Sequence, residues 1–297
     1  MIWFKRIGLF LLVNALVIAT ISITSTLIFS IFGIQLPQGA QGLLILCAIM
    51  GFSGSFISLM MSKFIAKKMY GVQIIDPKTD RQDLRWLVET VHHLAKSAGL
   101  PALPEVGIYD SPEINAFATG PSKKNSLVAV STGLLRNMQQ DEIEGVLGHE
   151  ISHIRNGDMV TMALLQGVVN TFVLFLSRIL ASIIANSGNR DGERGSPMTQ
   201  WMLTMLFDMV FTILASILVN YFSRRREFRA DAGGACLAGK EKMISGLKKL
   251  QAQFEMIEPD NGGVSTMKIS NRSSGFRALF STHPPLQERI LRLERGS

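Results

Sequence analysis

Cysteine is scarce: two residues in 297, Cys47 in an apolar run and Cys236 in an Ala/Gly-rich stretch. So few exclude a disulfide framework and fit a reducing compartment. Charge is also sparse, at 18% of residues, against a mean hydropathy of +0.26. A typical soluble domain carries about 25% charge, and here the apolar residues are bunched into runs. Composition therefore points to a membrane protein. The net charge of +7 does not make nucleic acid an expected partner, because the excess Lys and Arg flank the apolar runs, where membrane topology accounts for them. Histidine is limited to His92, His93, His149, His153 and His283. Repeats and low-complexity tracts are absent.

What is present is four apolar runs, about 7–32, 40–62, 159–185 and 201–222, each long enough to span a bilayer core of roughly 30 Å. The first is too long for the core of a cleaved signal peptide and reads as an uncleaved anchor. Lys5 and Arg6 precede the first hairpin and Lys63, Lys67 and Lys68 follow it, while its loop carries no positive residue. Arg224, Arg225, Arg226 and Arg229 follow the last run. The positive-inside rule then places the N-terminus and the stretches outside the two hairpins in the cytoplasm. The expected organisation is a membrane hairpin over 1–70, the first half of a cytoplasmic domain over 71–158, a second hairpin over 159–222 and the second half of that domain over 223–297. Arg178 and Asp208 lie at matching depths in the last two runs. An ion pair across that hairpin is expected, with Arg178 reaching to the outer interface as the alternative.

Between the hairpins stands His149-Glu150-Ile151-Ser152-His153, a match to H-E-x-x-H. At 100° per residue, two His four apart on a helix lie about 40° apart on one face, so both imidazoles can reach one Zn²⁺. Glu150 falls beside the metal, where a base for an attacking water belongs. The flanks read as helix. Asp141, Glu142 and Glu144 suit a first turn, Ile143, Val146, Leu147, Ile151 and Ile154 form an apolar stripe, and Asn156-Gly157 suits the end. The His pair lies off that stripe. Asp158 reads as the cap of the next helix.

Upstream, Asp80–Ser97 has helical periodicity, and its adjacent His92 and His93 point about 100° apart, which makes them poor joint ligands. Glu105–Tyr109 and Leu127–Val130 are short β-prone runs. Asn115, Ala116 and Phe117 lie between them, on a strand that could pair with an extended peptide substrate; a structural meander is the alternative.

A catalytic zinc commonly has three protein ligands and a water. The metzincin spacing fails, because Asn156 and Met159 stand where Gly and His are required. Glu227, in Arg226-Glu227-Phe228-Arg229-Ala230-Asp231, is the choice for third ligand. Asp231, four residues on, would accept the outer N–H of a ligand His. The alternative is a charged helix surface paired to neighbouring Arg.

Together, His149-Glu150-Ile151-Ser152-His153 before a membrane hairpin, Glu227 and Asp231 after it, and Thr282-His283-Pro284-Pro285 with Arg289 closely resemble the HtpX family of bacterial membrane zinc proteases, over essentially the whole chain. The resemblance implies a gluzincin-type peptidase domain in the cytoplasm, one Zn²⁺ per chain on His149, His153 and Glu227, and Glu150 as base. It also implies a stress-response role in membrane-protein quality control at the bacterial inner membrane, alongside other membrane proteases. By analogy with related zinc proteases, His283 is placed as a donor to the developing oxyanion; a packing or capping role is the alternative.

The expectation is thus an α+β, mostly helical polytopic membrane protein. Its zincin-like domain contains a small sheet and hydrolyses unfolded or membrane-protein substrates. A prenyl-protein-processing type of zinc protease and a non-catalytic membrane scaffold with structural zinc are the rival readings.

Overall fold

The computed structural model describes residues 39–187, 196–257 and 281–296. The first expected span, 7–32, lies outside them. In chain order the elements are α1 (Ala40–Met69), β1 (Gln73–Ile74), α2 (Gln82–Ser97), β2 (Glu105–Tyr109), β3 (Ala116–Ser122), β4 (Asn125–Ser131), α3 (Thr132–Asn137), α4 (Gln140–Asn156), α5 (Asp158–Ser187), α6 (Pro197–Ala238), α7 (Lys240–Ile257) and α8 (Leu286–Arg295). The chain divides into two compact units, one of Met1–Ser58 with Ala163–Val219, the other of Leu59–Met162 with Asn220–Ser297.

The first unit takes its described residues from three helices. Among the described residues α1, α5 and α6 are long and apolar enough to cross a membrane. They cover the second, third and fourth apolar runs, and α6 continues past its apolar run without a break to Ala238. The expected Arg178–Asp208 ion pair does not form among the described residues. Arg178 Nη1 instead donates to the Leu174 carbonyl 2.9 Å away, one turn back on its own helix. A guanidinium satisfied locally by main chain has less need of a carboxylate, and Asp208 Oδ1 is buried without a hydrogen bond.

The second unit is built on a four-stranded sheet of order β1-β2-β4-β3. β1 is antiparallel to β2, β2 parallel to β4, and β3 antiparallel to β4. Alternation along β4 gives the sheet two apolar faces. Val128 and Val130 join Leu87, Val91 and Leu94 of α2 and Leu147 and Ile151 of α4 in the main core. Leu127 and Ala129 join Ala66, Val72, Tyr109 and Phe117 on the other side. β3 lies at an edge of the sheet, and Asn115 just precedes it. α7 packs on the other flank of α4, and α8 packs on α7 through Ile290, Leu293, Met243 and Leu247.

Candidate metal centre

α4 begins where the Glu142 carboxylate accepts the Gln139 main-chain N–H at 2.8 Å, a reciprocal cap of the helix start. Its stripe of Ile143, Leu147, Ile151 and Ile154 is at most 3% exposed, and this burial fixes the rotation of the helix. His149 and His153 therefore face α6. α4 ends at Gly157, whose φ of 71° is a left-handed conformation that a side chain would strain.

α6 lies close against α4 beside the His pair. A Cβ on Gly234 would stand 2.8 Å from the His149 main-chain nitrogen, so only glycine permits this approach. One consequence is the position of Glu227, two turns earlier on α6 and 1% exposed. His149 Nε2 and His153 Nε2 lie 3.0 Å apart, and each is 3.4 Å from a Glu227 oxygen. One ligand atom from each of His149, His153 and Glu227 can be chosen so that all lie within 4.8 Å of one another.

The outer ring nitrogens are held by carboxylates. His149 Nδ1 meets Asp231 Oδ1 at 2.8 Å, and His153 Nδ1 meets Asp158 Oδ2 at 2.6 Å. Asp231 is held in turn by the buried Arg289, whose Nε donates to Oδ2 at 2.8 Å and Nη2 to Oδ1 at 2.5 Å. Arg289 Nη2 is also 3.4 Å from His149 Nδ1. With the Nδ1 proton directed at Asp231, this is two donors converging on one oxygen rather than a third hydrogen bond. In the neutral tautomer that these contacts select, both Nε2 lone pairs point at each other and at Glu227. Both Glu227 oxygens are buried without a hydrogen bond. Three converging lone-pair donors repel unless a cation stands among them, and two His with a carboxylate are a donor set that suits a catalytic zinc. The residues fit a metal.

The electrostatics of the cluster say the same. Burial works against a charged His153, but Asp158 and Glu227 outweigh it and raise its pKa from 6.5 to about 9. His149 is raised too, with burial opposed by Asp231 and Glu227. Burial would raise the Glu227 carboxyl, yet the neighbouring His149 and His153 imidazoles hold it well below the usual carboxylate range. Asp231 is likewise lowered, with Arg289 and His149 overcoming its burial. The cluster favours positive charge, as protons or as metal.

Glu150 points toward the sheet, where its Oε2 accepts the Ala118 main-chain N–H at 2.8 Å. His283 is exposed, and its Nδ1 comes within 3.0 Å of Glu227 Oε2 without hydrogen-bond geometry. His92 meets the Pro104 carbonyl at 3.2 Å, a packing contact. Among Asn115, Ala116 and Phe117, the paired positions Phe117↔Ala129 and Ala116↔Val130 differ in use. The Ser131 N–H donates to the Asn115 carbonyl at 2.9 Å. With the Ala118 N–H turned outward, antiparallel alternation leaves Ala116 as the one of the three whose main chain faces the open edge. Two contributors escaped the reading of the sequence. Asp158 caps no more than its own helix by that reading, and Ala118 acts through a main-chain group. Arg289 was marked only as part of a motif.

A buried two-His, one-carboxylate cluster beside a helix glutamate, in a chain with membrane-spanning helices, defines a membrane metallopeptidase. The profile of peptidase family M48 matches residues 81–296. The chain belongs to that family, and within it to the HtpX proteases. It is 53% identical to Protease HtpX of Mannheimia succiniciproducens, over 97% of this chain and 98% of that one. It is 50% identical to a Protease HtpX homolog of Bacillus pumilus, over 98% of this chain and 99% of that one. The crystal structure of S. mikatae Ste24p shares the fold, with a TM-score of 0.66 at 21% identity over 98% of this chain. This chain spans 65% of that structure's length.

Proposed function

We propose that this membrane metalloprotease is a zinc endopeptidase acting at the cytoplasmic face on unfolded or damaged membrane proteins. The observation that carries the chemistry is the convergence of His149 Nε2, His153 Nε2 and Glu227 with both outer His nitrogens already held. In this reading these three residues hold one Zn²⁺ per chain. Bound there, the ion supplies polarisation of the scissile carbonyl and a more acidic water. Glu150 takes the proton of the attacking water and delivers it to the leaving amine. Asp231 and Asp158 keep each imidazole in one tautomer and one orientation. His283, from the segment before α8, donates to the oxyanion as it develops. The open edge of β3, through Ala116, aligns the substrate as an added strand.

The cytoplasmic orientation rests on Lys63, Lys67 and Lys68 after α1's apolar run and Arg224, Arg225 and Arg226 after α6's. On the same ground, segments 71–158 and 223–297 form one protease domain interrupted by a membrane hairpin, with the N-terminus on the same side. A role in stress-linked membrane-protein quality control at the bacterial inner membrane, alongside other membrane proteases, rests on the HtpX resemblance. The scaffold alternative is disfavoured, since a closed structural zinc site takes four protein ligands and three groups converge among the described residues. A prenyl-protein-processing activity has no feature of this site in its favour.

The test compares wild type and Glu150→Gln, stripped of metal in detergent and reloaded with Zn²⁺, on an unfolded protein in soluble and membrane-tethered form. Zinc-dependent cleavage by wild type alone, with zinc retained by the variant and the tethered form preferred, is expected. Equal cleavage of both forms would remove the membrane-substrate reading. Zinc binding without cleavage of any unfolded substrate would restore the scaffold.

A further inference from the structure

We infer that the main-chain N–H of Ala118 is a positioning group for Glu150, so that the strand offered to substrate also aims the base. The inference rests on the reading of Glu150 as base. β3 is an edge strand, paired to β4 through Phe117↔Ala129 and Thr119↔Leu127. Alternation then leaves the N–H and carbonyl of Ala116 and of Ala118 on the open side. Three of these four groups have no hydrogen-bond partner among the described residues. The fourth, the Ala118 N–H, is taken by Glu150 Oε2 at 2.8 Å.

This contact has two consequences. A glutamate on a helix has three side-chain torsions, and a carboxylate with one oxygen on a fixed amide has far fewer accessible poses. Its other oxygen stays free to accept a proton. The amide itself is fixed, because β3 is held in register by β4, whose Leu127, Val128, Ala129 and Val130 are all fully buried. Substrate therefore has the Ala116 N–H and carbonyl and the Ala118 carbonyl to pair with, and the Ala118 amide is reserved for the enzyme. Successive outward positions on a strand are about 7 Å apart. The peptide and the base are thus referred to one rigid edge, two residues apart, rather than to separate elements.

The test removes the N–H while leaving the side chain in place. In the full-length, zinc-loaded protein in detergent, the amide before residue 118 is replaced by an ester, with lactate in place of alanine. Ala118→Pro serves as a second variant, since an edge strand tolerates proline where its N–H faces outward, and Ala118→Ser is the control that retains the N–H. Cleavage of unfolded casein is followed for kcat and KM, with bound zinc and thermal midpoint measured on each protein. A drop in kcat of about 10- to 100-fold, with KM within about twofold, zinc content unchanged and the serine control active, is expected. A folded, zinc-loaded ester variant with wild-type kcat overturns the assignment. So does a loss carried wholly by KM, which would make the amide part of the substrate ladder, or one matched by a fall in thermal midpoint and zinc content, which would make it a structural tie. An inactive Glu150→Gln protein beside a fully active ester variant sinks the Ala118 assignment alone. An active Glu150→Gln protein sinks the base assignment first.

Discussion

Asp231→Asn separates two jobs that one carboxylate performs. Asp231 accepts the His149 Nδ1 proton and pairs with Arg289, and both Asp231 and Arg289 are at most 7% exposed. Asparagine keeps the shape and removes the charge. Arg289 then keeps Glu227, 3.8 Å away, as its remaining buried ion partner. Removing one member of a buried pair costs roughly 3–5 kcal/mol, with little discount for screening at this burial. Loss of the orienting carboxylate weakens metal affinity about 10- to 100-fold, or about 1.4–2.7 kcal/mol. The double variant Asp231→Asn/Arg289→Met tells the two effects apart. Without the orphaned guanidinium, stability of the metal-free protein should recover most of the loss, while zinc affinity stays low because the acceptor left to His149 is a neutral amide oxygen rather than a carboxylate. Thermal unfolding of metal-free protein and competition against a fluorescent zinc chelator read the two quantities. Zinc affinity within threefold of wild type in Asp231→Asn, or a double variant whose stability loss is the sum of the singles, would refute the reasoning.

Three further outcomes follow from the same geometry. Asp158→Asn should weaken zinc about tenfold or more through His153, read by the same competition assay, with no more than a minor stability effect from its exposed partner Arg229, 3.5 Å away. The raised pKa of His153 sets a pH window for the metal-free protein. A folded pKa of about 9 against an ordinary 6.5 gives stability that is full below about 6.5 and is lost as pH rises through about 9. Zinc must displace that proton, so its apparent affinity should climb over the same window, and calorimetry at pH 7 in buffers of different ionisation enthalpy should detect proton release; none would refute the protonated site. Gly234→Val places side-chain atoms where a Cβ alone would be 2.8 Å from the His149 nitrogen. It should cost about 1–3 kcal/mol and depress zinc binding, measured by thermal midpoint and bound zinc per chain.

His149, His153, Glu227 and Asp231, which the structure brings together, were legible in the sequence; the parts played by Asp158, Arg289 and the Ala118 amide were not. His149, Glu150 and His153 are bound together by helix periodicity, a property of spacing alone. Glu227 and Asp231 carry the same signal on one stretch, and the apolar run before them shows where their helix re-emerges. Asp158 defeats that logic. Five residues beyond His153, it would point about 140° away on a continuous helix, but the left-handed turn at Gly157 breaks the helix, and its carboxylate meets His153. A sequence marks the break and leaves its direction open. Arg289 meets Asp231 across 58 positions, a pairing set by how α8 packs against α7. Ala118 offers a main-chain hydrogen, which no residue type announces. The same distinction accounts for Arg178 and Asp208, whose depths match in the sequence but whose bonding turns on which acceptor is nearer, and there a carbonyl of α5 wins. The His pair follows from spacing within one helix, and so does the Glu227–Asp231 pair; what brings the two pairs together, and Asp158 and Arg289 onto them, is where separate elements come to rest. Variants at Asp158, Arg289 and the Ala118 amide therefore probe the tertiary structure of the site more directly than the H-E-x-x-H residues can, because replacing a ligand removes the metal and with it the geometry under test.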